Sequence, residues 1–376
     1  ARAGVSAVIL SDAGIGMNGA GIAGLACARE LARSGRRVAL VERGQGTQGT
    51  GWEAAAGMLA AQVESREEDP LFDFALAGRE RYRELGPELR QATGIDTGLW
   101  FDGLARLALD EADVDELRSR VAWQRQRGQY CDWLDDGEVR ARWPWLGPCL
   151  GALWAPGEGA LDPVRLVQAL RADAARHGAV LLEDEIGAIE FLHGRAVAAR
   201  GRERHAGGGI VIAAGAWSGL IDGLPRPLAV APVRGQMAAL PWPAGVPPTV
   251  VYAKDRYVTW RDDVAVVGST MENAGYRAEV TSDGLESLLA SAERIAPAFA
   301  GLRVQRSWAG LRPMTPDGLP IIGREPRVDG LWYATGHGRN GILLAAITGL
   351  VIAQLVEGTA PAADLGPMRP ERFWRW

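Results

Sequence analysis

A glycine-rich stretch near the start of the chain decides the fold: Gly19-Ala20-Gly21-Ile22-Ala23-Gly24. Apolar side chains at helical spacing follow it, at Leu25, Cys27, Ala28 and Leu31. Gly35 stands where a left-handed residue commonly ends such a helix. Residues 37–42 then form an apolar run typical of a strand. This order of turn, helix and strand predicts the first βαβ unit of a parallel sheet.

The spacing of the three glycines suits a phosphate ligand. Gly19 permits a tight turn, Gly21 a close approach of the backbone to a pyrophosphate, and Gly24 close packing of helix on strand. Glu42 ends the next strand, 21 residues after Gly21, where a carboxylate accepts hydrogen bonds from an adenosine ribose. Together these features predict a dinucleotide site. A glycine-rich turn with a solvated Glu42 is the competing interpretation.

The segment just before the turn is less typical of this motif. Residues 11–18 contain Gly, Asp and Asn, which strands disfavour. Either the first strand is short, or Val5 to Leu10 forms it and the turn is longer than usual.

A run of small residues points to the kind of dinucleotide: Ala54-Ala55-Ala56-Gly57-Met58-Leu59. Small side chains allow a bulky isoalloxazine ring to lie flat against backbone amides, which favours a flavin over a nicotinamide. The competing interpretation is the buried, alanine-rich start of a helix.

Composition excludes several other classes of protein. The chain has 376 residues, 47% of them hydrophobic, and a formal net charge of −5 without the clustered basic surface that nucleic-acid binding needs. Its three cysteines show no disulfide or metal-ligand spacing, so we expect reduced thiols and no metal. The longest apolar run, 341–356, is shorter than the ~20 residues that cross a bilayer and predicts a buried helix. We therefore expect a cytoplasmic protein with neither membrane nor nucleic acid as a partner.

The middle of the chain predicts further elements. Asp162-Pro163 opens a helix that runs to His177. From about Leu228 to Met271 short apolar strands alternate with turn signals at 254–255 and 262–263, which predicts an antiparallel sheet. A helix is expected at 285–295.

Two motifs near the C-terminus each carry an arginine. Residues 308–323 contain Arg312 and residues 336–344 contain Arg339. With these motifs, the chain resembles the glycine oxidase branch of the D-amino-acid oxidase-like flavoproteins. The resemblance also rests on 19–24, Glu42-Arg43, 54–59, 213–218, 232–236, 257–261 and 266–271, and so covers nearly the whole length.

The resemblance implies an α/β flavoprotein of two domains. A Rossmann-like FAD-binding domain is expected from the discontinuous segments 1–85, 142–222 and 305–376. A substrate-binding domain with an antiparallel sheet is expected from 86–141 and 223–304. Some relatives tether flavin through a cysteine close to the Arg312 motif. Residues 307–311 contain none, so we expect non-covalent FAD.

The resemblance also implies site residues. The expected FAD-binding residues are Gly19, Gly21, Ile22, Ala23, Gly24, Glu42, Arg43, Ala55, Ala56, Gly57, Met58, Ile186, Gly215, His337, Gly338, Arg339, Asn340, Gly341, Ile342 and Leu343. For the substrate it implies Tyr257, Arg312 and Arg339, and Met271 is predicted to line the pocket or, as the alternative, to pack in the core.

Oxidation of an amino acid requires its carboxylate to be held still, and a planar guanidinium does this through two hydrogen bonds. Arg312 is the first choice for this clamp; a structural Arg312 bound to Asp317 or to loop carbonyls is the alternative. Tyr257 is expected to donate from the opposite wall, unless it is a core tyrosine. Arg339 either contacts substrate or orders the flavin loop.

No general base emerges from the sequence, and His337 is expected to shape its loop. We expect hydride transfer to flavin N5, with O2 as the acceptor and an imine and H2O2 as products. The helix that begins at Asn340-Gly341 is expected to favour flavin reduction through its dipole.

The resulting prediction is an FAD-dependent glycine oxidase that also accepts sarcosine or small D-amino acids, forms a homo-oligomer and supplies dehydroglycine for the thiamine thiazole. Two alternatives stay open. One is a D-amino-acid dehydrogenase or N-substituted glycine-cleaving oxidase of the same fold, and the other is a catalytically silent flavin-binding partner module.

Overall fold

The computed structural model describes residues 7–11, 21–43, 49–66 and 69–373. Within these residues, seven α-helices lie at α1 Ile22–Arg33, α2 Phe72–Thr93, α3 Glu111–Gln126, α4 Asp136–Arg142, α5 Pro163–Arg176, α6 Ser282–Ile295 and α7 Gly341–Glu357. The strands are β1 Ala7–Ser11, β2 Val38–Glu42, β3 Met58–Leu59, β4 Leu104–Ala108, β5 Asp132–Asp135, β6 Gly151–Ala155, β7 Gly159–Ala160, β8 Val180–Glu183, β9 Ala188–Leu192, β10 Arg195–Arg200, β11 Arg204–Ala206, β12 Ile210–Ala213, β13 Ala231–Pro241, β14 Val250–Ala253, β15 Arg256–Arg261, β16 Val264–Gly268, β17 Arg306–Met314, β18 Ile321–Arg324 and β19 Leu331–Thr335.

A six-stranded sheet forms the nucleotide-binding half of the fold. Its strand order is β18-β19-β12-β1-β2-β8, and every neighbouring pair is parallel except β18 with β19. Side chains alternate between its two faces, as strand geometry requires. Val38 and Leu40 of β2 pack in one hydrophobic cluster with helices α1, α2, α5 and α7, whereas Val41 faces a second cluster beside the β9–β11 sheet.

The strand before the glycine turn is β1, which pairs with β2 and β12. Its position at Ala7–Ser11 overlaps the predicted strand Val5 to Leu10, and the predicted longer turn lies outside the described residues. Gly19 lies outside the described residues. Gly35, at φ 85°, ends α1 as predicted, because its left-handed backbone is one that glycine adopts without strain.

An eight-stranded sheet forms the second half, in the order β17-β13-β16-β15-β14-β4-β6-β5. All its pairs are antiparallel except β14 with β4. Helix α6 packs on one face through Leu288 and Ile295, and the other face carries Tyr252 and Tyr257. The predicted α/β class with an additional antiparallel sheet is therefore confirmed.

Helix α7 is the apolar helix expected to be buried. With the preceding turn it spans Gly338–Glu357, which is long and apolar enough to cross a membrane by length and composition. It packs instead against α1 and α2 in the core, where its most apolar window is 61% buried. The helix is therefore part of the hydrophobic core of this fold.

Other predicted elements lie close to their expected places. Asp162 caps α5 by accepting hydrogen bonds from the amides of Val164 and Arg165, at 2.7 and 3.2 Å. The two turn signals join β14 to β15 and β15 to β16.

The domain boundaries stay a prediction. Strands β6 and β17 belong to the eight-stranded sheet, although the predicted ranges assign their residues to the FAD-binding domain. We propose that these two strands belong to the substrate-binding domain.

Candidate functional site

A cavity of about 500 Å³ is lined by residues from both large sheets and from the starts of α1 and α7. Most of the predicted site residues line it, namely Gly21, Ile22, Ala23, Ala55, Ala56, Gly57, Met58, Gly215, Tyr257, Met271, Arg312, His337, Gly338, Arg339, Asn340, Gly341, Ile342 and Leu343. The structure thus brings together segments that lie about 290 residues apart in the sequence.

The N-terminus of α1 forms one end of this cavity. Gly21 is its N-cap residue, and Gly21, Ile22 and Ala23 line the cavity. No acidic side chain occupies that turn, so an anion there meets the positive end of the helix dipole. Glu42 is buried at the end of the adjacent strand β2.

The small-residue segment forms one wall, and the neighbouring sheet holds it in place. Arg261 Nη2 donates hydrogen bonds of 2.9 Å to the carbonyl oxygens of both Ala55 and Ala56. Gly57 has φ 92°, and a Cβ at this position would collide with the Leu161 carbonyl. Only glycine fits there. The wall therefore presents backbone and methyl groups to the cavity, a surface that accepts a planar ring.

The loop before α7 forms another wall. His337 is buried, and its Nε2 lies 3.1 Å from Thr348 Oγ1. Burial lowers the pKa of His337 to about 4, so the imidazole is neutral at physiological pH. Tyr82 donates a hydrogen bond of 2.5 Å to the Ile342 carbonyl, which fixes the first turn of the helix. These contacts support the expectation that His337 shapes the loop.

Arg312 lies on β17 with its guanidinium against the backbone of Gly235 on β13. Its Nη1 donates to the Thr270 carbonyl at 3.0 Å, and its Nη2 donates to Ser269 Oγ at 2.5 Å. Burial, with the charges of neighbouring arginines, lowers the Arg312 pKa from its ordinary value, yet guanidinium groups stay protonated in proteins.

Within the described residues, no carboxylate lies at ion-pair distance from Arg312. Asp317, its alternative partner, pairs instead with Arg372 at 2.7 Å. The loop-carbonyl interpretation is correct to the extent that Arg312 binds the Thr270 carbonyl. A half-buried guanidinium without a carboxylate partner is suited to bind an anionic ligand.

Tyr257 lies beside the guanidinium. Its hydroxyl donates to Met237 Sδ at 3.4 Å, a weak acceptor, and its side chain is 9% exposed. Burial raises the pKa of Tyr257 to about 12, so the phenol keeps its proton and can donate a hydrogen bond. Tyr257 both packs in the core cluster and lines the cavity, so both sequence interpretations describe part of its environment.

Arg339 has a carboxylate partner that the sequence did not predict. Its Nε lies 2.7 Å from Glu64 Oε2, and Tyr252 donates a hydrogen bond of 2.8 Å to Glu64 Oε1. The negative charge of Glu64 raises the pKa of Arg339. Both Glu64 and Tyr252 line the cavity. The hairpin at residues 254–255 was a usable signal for Tyr252, because it places this residue directly opposite Tyr257.

Met271 is 55% exposed and lines the cavity, so the interpretation of plain core packing is wrong. Gly24 is buried within α1, and the Arg43 guanidinium lies 3.8 Å from the centroid of a Trp217 ring. Ile186 packs beside the hydrophobic cluster that contains Val41, so its contact with adenine stays a prediction.

Comparison with known proteins gives consistent matches. The family described as DAO, FAD dependent oxidoreductase, matches residues 18–355. Glycine oxidase from Geobacillus kaustophilus is 36% identical, with 93% of this chain and 94% of that protein covered. Glycine oxidase from Pseudomonas aeruginosa is 35% identical, with 94% and 97% covered. The crystal structure of the Geobacillus kaustophilus enzyme superposes with a TM-score of 0.91 at 34% identity, covering 98% of this chain and 99% of that one.

Proposed function

Because this chain belongs to the DAO family of FAD dependent oxidoreductases, we propose that it is an amino-acid oxidase whose substrate is glycine. The observation that carries the proposal is the position of Arg312, a half-buried guanidinium beside Tyr257 on the wall of the cavity. A carboxylate is the ligand that such a guanidinium binds best, and glycine is the smallest amino acid that provides one.

FAD is the cofactor of this family, and the described residues fit it. The helix N-terminus at Gly21 suits a pyrophosphate, the buried carboxylate of Glu42 suits an adenosine ribose, and the wall at Gly57 suits the flat isoalloxazine. We propose that FAD is bound without a covalent link, since residues 307–311 contain no cysteine. Bound FAD supplies the redox chemistry, in which the amino acid loses two electrons and two protons to become an imine and O2 becomes H2O2.

The residues of this chain bind and orient the substrate. We propose that Arg312 holds the carboxylate through its guanidinium, while Ser269 and the Thr270 carbonyl keep that group in place. The Tyr257 hydroxyl donates a hydrogen bond to the same carboxylate in place of its weak hydrogen bond to Met237 Sδ. Fixing the carboxylate at two points directs the Cα hydrogen to one position, which contributes to rate through orientation.

Arg339 orders the flavin loop rather than holding the substrate. Its ion pair with Glu64 satisfies its charge, and its side chain is 57% exposed. The first turn of α7 lies beside this residue on the cavity wall, and we propose that its helix dipole favours negative charge on the reduced cofactor.

Three wider proposals rest on the resemblance. We propose that the imine product, dehydroglycine, supplies the thiamine thiazole, that the enzyme forms a homo-oligomer, and that it works in the cytoplasm.

Oxygen consumption and peroxide release by the purified holoenzyme test the function. We expect both in the presence of glycine, with lower rates on sarcosine and D-alanine. Reduction of a quinone or dye without oxygen consumption would favour the dehydrogenase alternative. No reduction of the bound flavin by any of these amino acids would favour the silent binding module.

A further inference from the structure

Three arginines that the proposed function does not use line the same cavity: Arg66, Arg106 and Arg120, here called the arginine cluster. Glu116 is the acid that two of them share, with Arg120 Nη2 at 2.5 Å and Arg66 Nε at 3.7 Å from its Oε1. Arg106 has no ion pair among the described residues, and its Nη2 donates to the Lys254 carbonyl at 2.7 Å. In the described part of the chain, three positive charges therefore share one acidic ion-pair partner, and Arg66, at 74% exposure, is the most exposed of the three.

Among the described residues, the other charges on this side of the cavity do not cancel the excess. Lys254 is paired with Asp110 and Asp113, each at 2.6 Å. Glu64 pairs with Arg339, which leaves Asp255 as the other acid on the described lining.

The most buried member of the cluster has an unsatisfied donor. Arg120 is 3% exposed, and its Nη1 donates to the Val63 carbonyl at 3.0 Å, but its buried Nε has no partner in the described part of the chain. Burial lowers the Arg120 pKa, and the charges of Arg106 and Arg66 lower it further. A buried donor that lacks an acceptor costs stability, and a bound ion or water or a functional role accounts for such a group in a native structure.

The cluster lies close to the carboxylate clamp. The Arg106 guanidinium is 5.8 Å from the centroid of the Tyr252 ring, and the Tyr252 ring is 5.6 Å from that of Tyr257, which neighbours Arg312. Val63, which accepts the hydrogen bond from Arg120, directly precedes Glu64. Two aromatic rings therefore separate the clamp from a second group of cations in one cavity.

We propose that the arginine cluster is a second anion subsite, so that this enzyme also oxidises amino acids that carry a second carboxylate. The inference rests on the proposed function, because Arg312 is taken to hold the α-carboxylate at the other end. The second carboxylate comes either from an arm on the amine nitrogen, as in an N-(carboxyalkyl)glycine, or from the side chain of an acidic D-amino acid. Both have the same chemistry at the cluster, and the substrates tested distinguish them.

Steady-state kcat/KM values of the holoenzyme test the proposal. The substrates are glycine, N-(carboxyalkyl)glycines of increasing arm length with N-alkylglycines of equal length, and D-glutamate with D-norvaline. Two variants each remove one charge of the arginine cluster: Arg106→Gln, at a half-buried position, and Arg120→Gln. Arg118→Gln is the matched control, because Arg118 lies on the same helix as Arg120 but stacks over Trp133.

We expect at least one carboxylate-bearing substrate to exceed its neutral counterpart by about tenfold in kcat/KM, since a hydrogen bond to a charged group is worth about that factor. Arg106→Gln removes most of this preference and leaves the glycine value unchanged, and Arg118→Gln alters neither. The substrate series that shows the preference identifies the source of the second carboxylate.

Two results would overturn the proposal: neutral substrates that match or exceed the charged ones, or an Arg106→Gln variant that lowers both series equally. An enzyme that oxidises no glycine refutes the proposed function instead. In that case dicarboxylates and acetate are titrated against the flavin spectrum. If a dicarboxylate binds more tightly than acetate and this difference shrinks in Arg106→Gln, the subsite is supported. If the dicarboxylate and acetate bind with equal affinity, the subsite is rejected.

Discussion

The guanidinium of Arg339 lies 2.7 Å from the carboxylate of Glu64, and this ion pair divides the roles of the two cavity arginines. Arg312 has no such partner in the described part of the structure and is available to a substrate carboxylate. The positive charge of Arg339 is balanced by the carboxylate of Glu64. The charge that a bound carboxylate meets in this cavity is therefore set by Glu64 as much as by the arginines.

Replacing Glu64 with Gln should strengthen the binding of small carboxylates. The substitution removes a negative charge from the cavity wall while it keeps an acceptor for Tyr252. We expect acetate to compete with glycine about fivefold more strongly, which corresponds to about 1 kcal/mol for one charge at partial burial. Glu84→Gln, an exposed glutamate on α2, is the control and should change nothing. Weaker acetate inhibition would show that Glu64 positions the clamp instead of opposing the substrate charge.

Gly235→Ala should displace the clamp without removing the cofactor. A Cβ at Gly235 would overlap the Arg312 guanidinium, whereas a Cβ at Gly187 meets nothing within 4 Å. We expect KM for glycine to rise about tenfold or more in Gly235→Ala, because the charged hydrogen bonds to the carboxylate are misaligned. Gly187→Ala should match the wild-type enzyme. A normal KM in Gly235→Ala, with flavin content unchanged, would argue against Arg312 as the clamp.

Gly57→Ala should weaken FAD retention. Gly57 combines φ 92° with a blocked Cβ position, whereas Gly35 has φ 85° with open space around it. Gly35→Ala thus measures backbone strain alone, expected to cost about 1 kcal/mol. Gly57→Ala should lower the free energy of unfolding by more than Gly35→Ala does. It should also shift the cavity wall at Ala56 and lower the flavin-to-protein ratio after dialysis. Equal effects of the two substitutions on FAD content would show that the wall does not hold the ring.

Protonation of His337 should destabilise the protein at low pH. The folded pKa of His337, about 4, lies below its ordinary value of 6.5, so its contribution to stability is complete above pH 6.5 and is lost as the pH falls towards 4. Relative to His337→Asn, the wild-type protein should lose up to about 3 kcal/mol of unfolding free energy over that range. Urea unfolding of both proteins at several pH values measures this loss of unfolding free energy. A constant difference between the two proteins would contradict the buried, neutral imidazole.

The sequence predicted the parts of this fold that depend on local chemistry. Helix α1, the left-handed Gly35, the Asp162 cap and the strands around the two turns were readable because spacing and turn residues determine them. The assignment of β17 to the eight-stranded sheet was not readable, because strand pairing between distant segments leaves no local signal.

The site residues show the same difference between local signals and long-range contacts. The motifs predicted Arg312 and Tyr257 by residue type and position in the chain. Glu64 was missed, because its partner Arg339 lies 275 residues away and a lone glutamate has no distinguishing sequence pattern. The arginine cluster was missed for the same reason, since its members come from a loop, a strand and a helix.

The most direct test of the central claim is anaerobic titration of the holoenzyme with glycine, for the wild-type protein and for Arg312→Met. We expect glycine to bleach the bound flavin of the wild-type enzyme. We expect Arg312→Met to retain FAD but to require about 10- to 150-fold more glycine, the loss expected for a charged hydrogen-bonded pair. Equal glycine requirements in the two proteins would contradict the assignment of Arg312 as the carboxylate clamp.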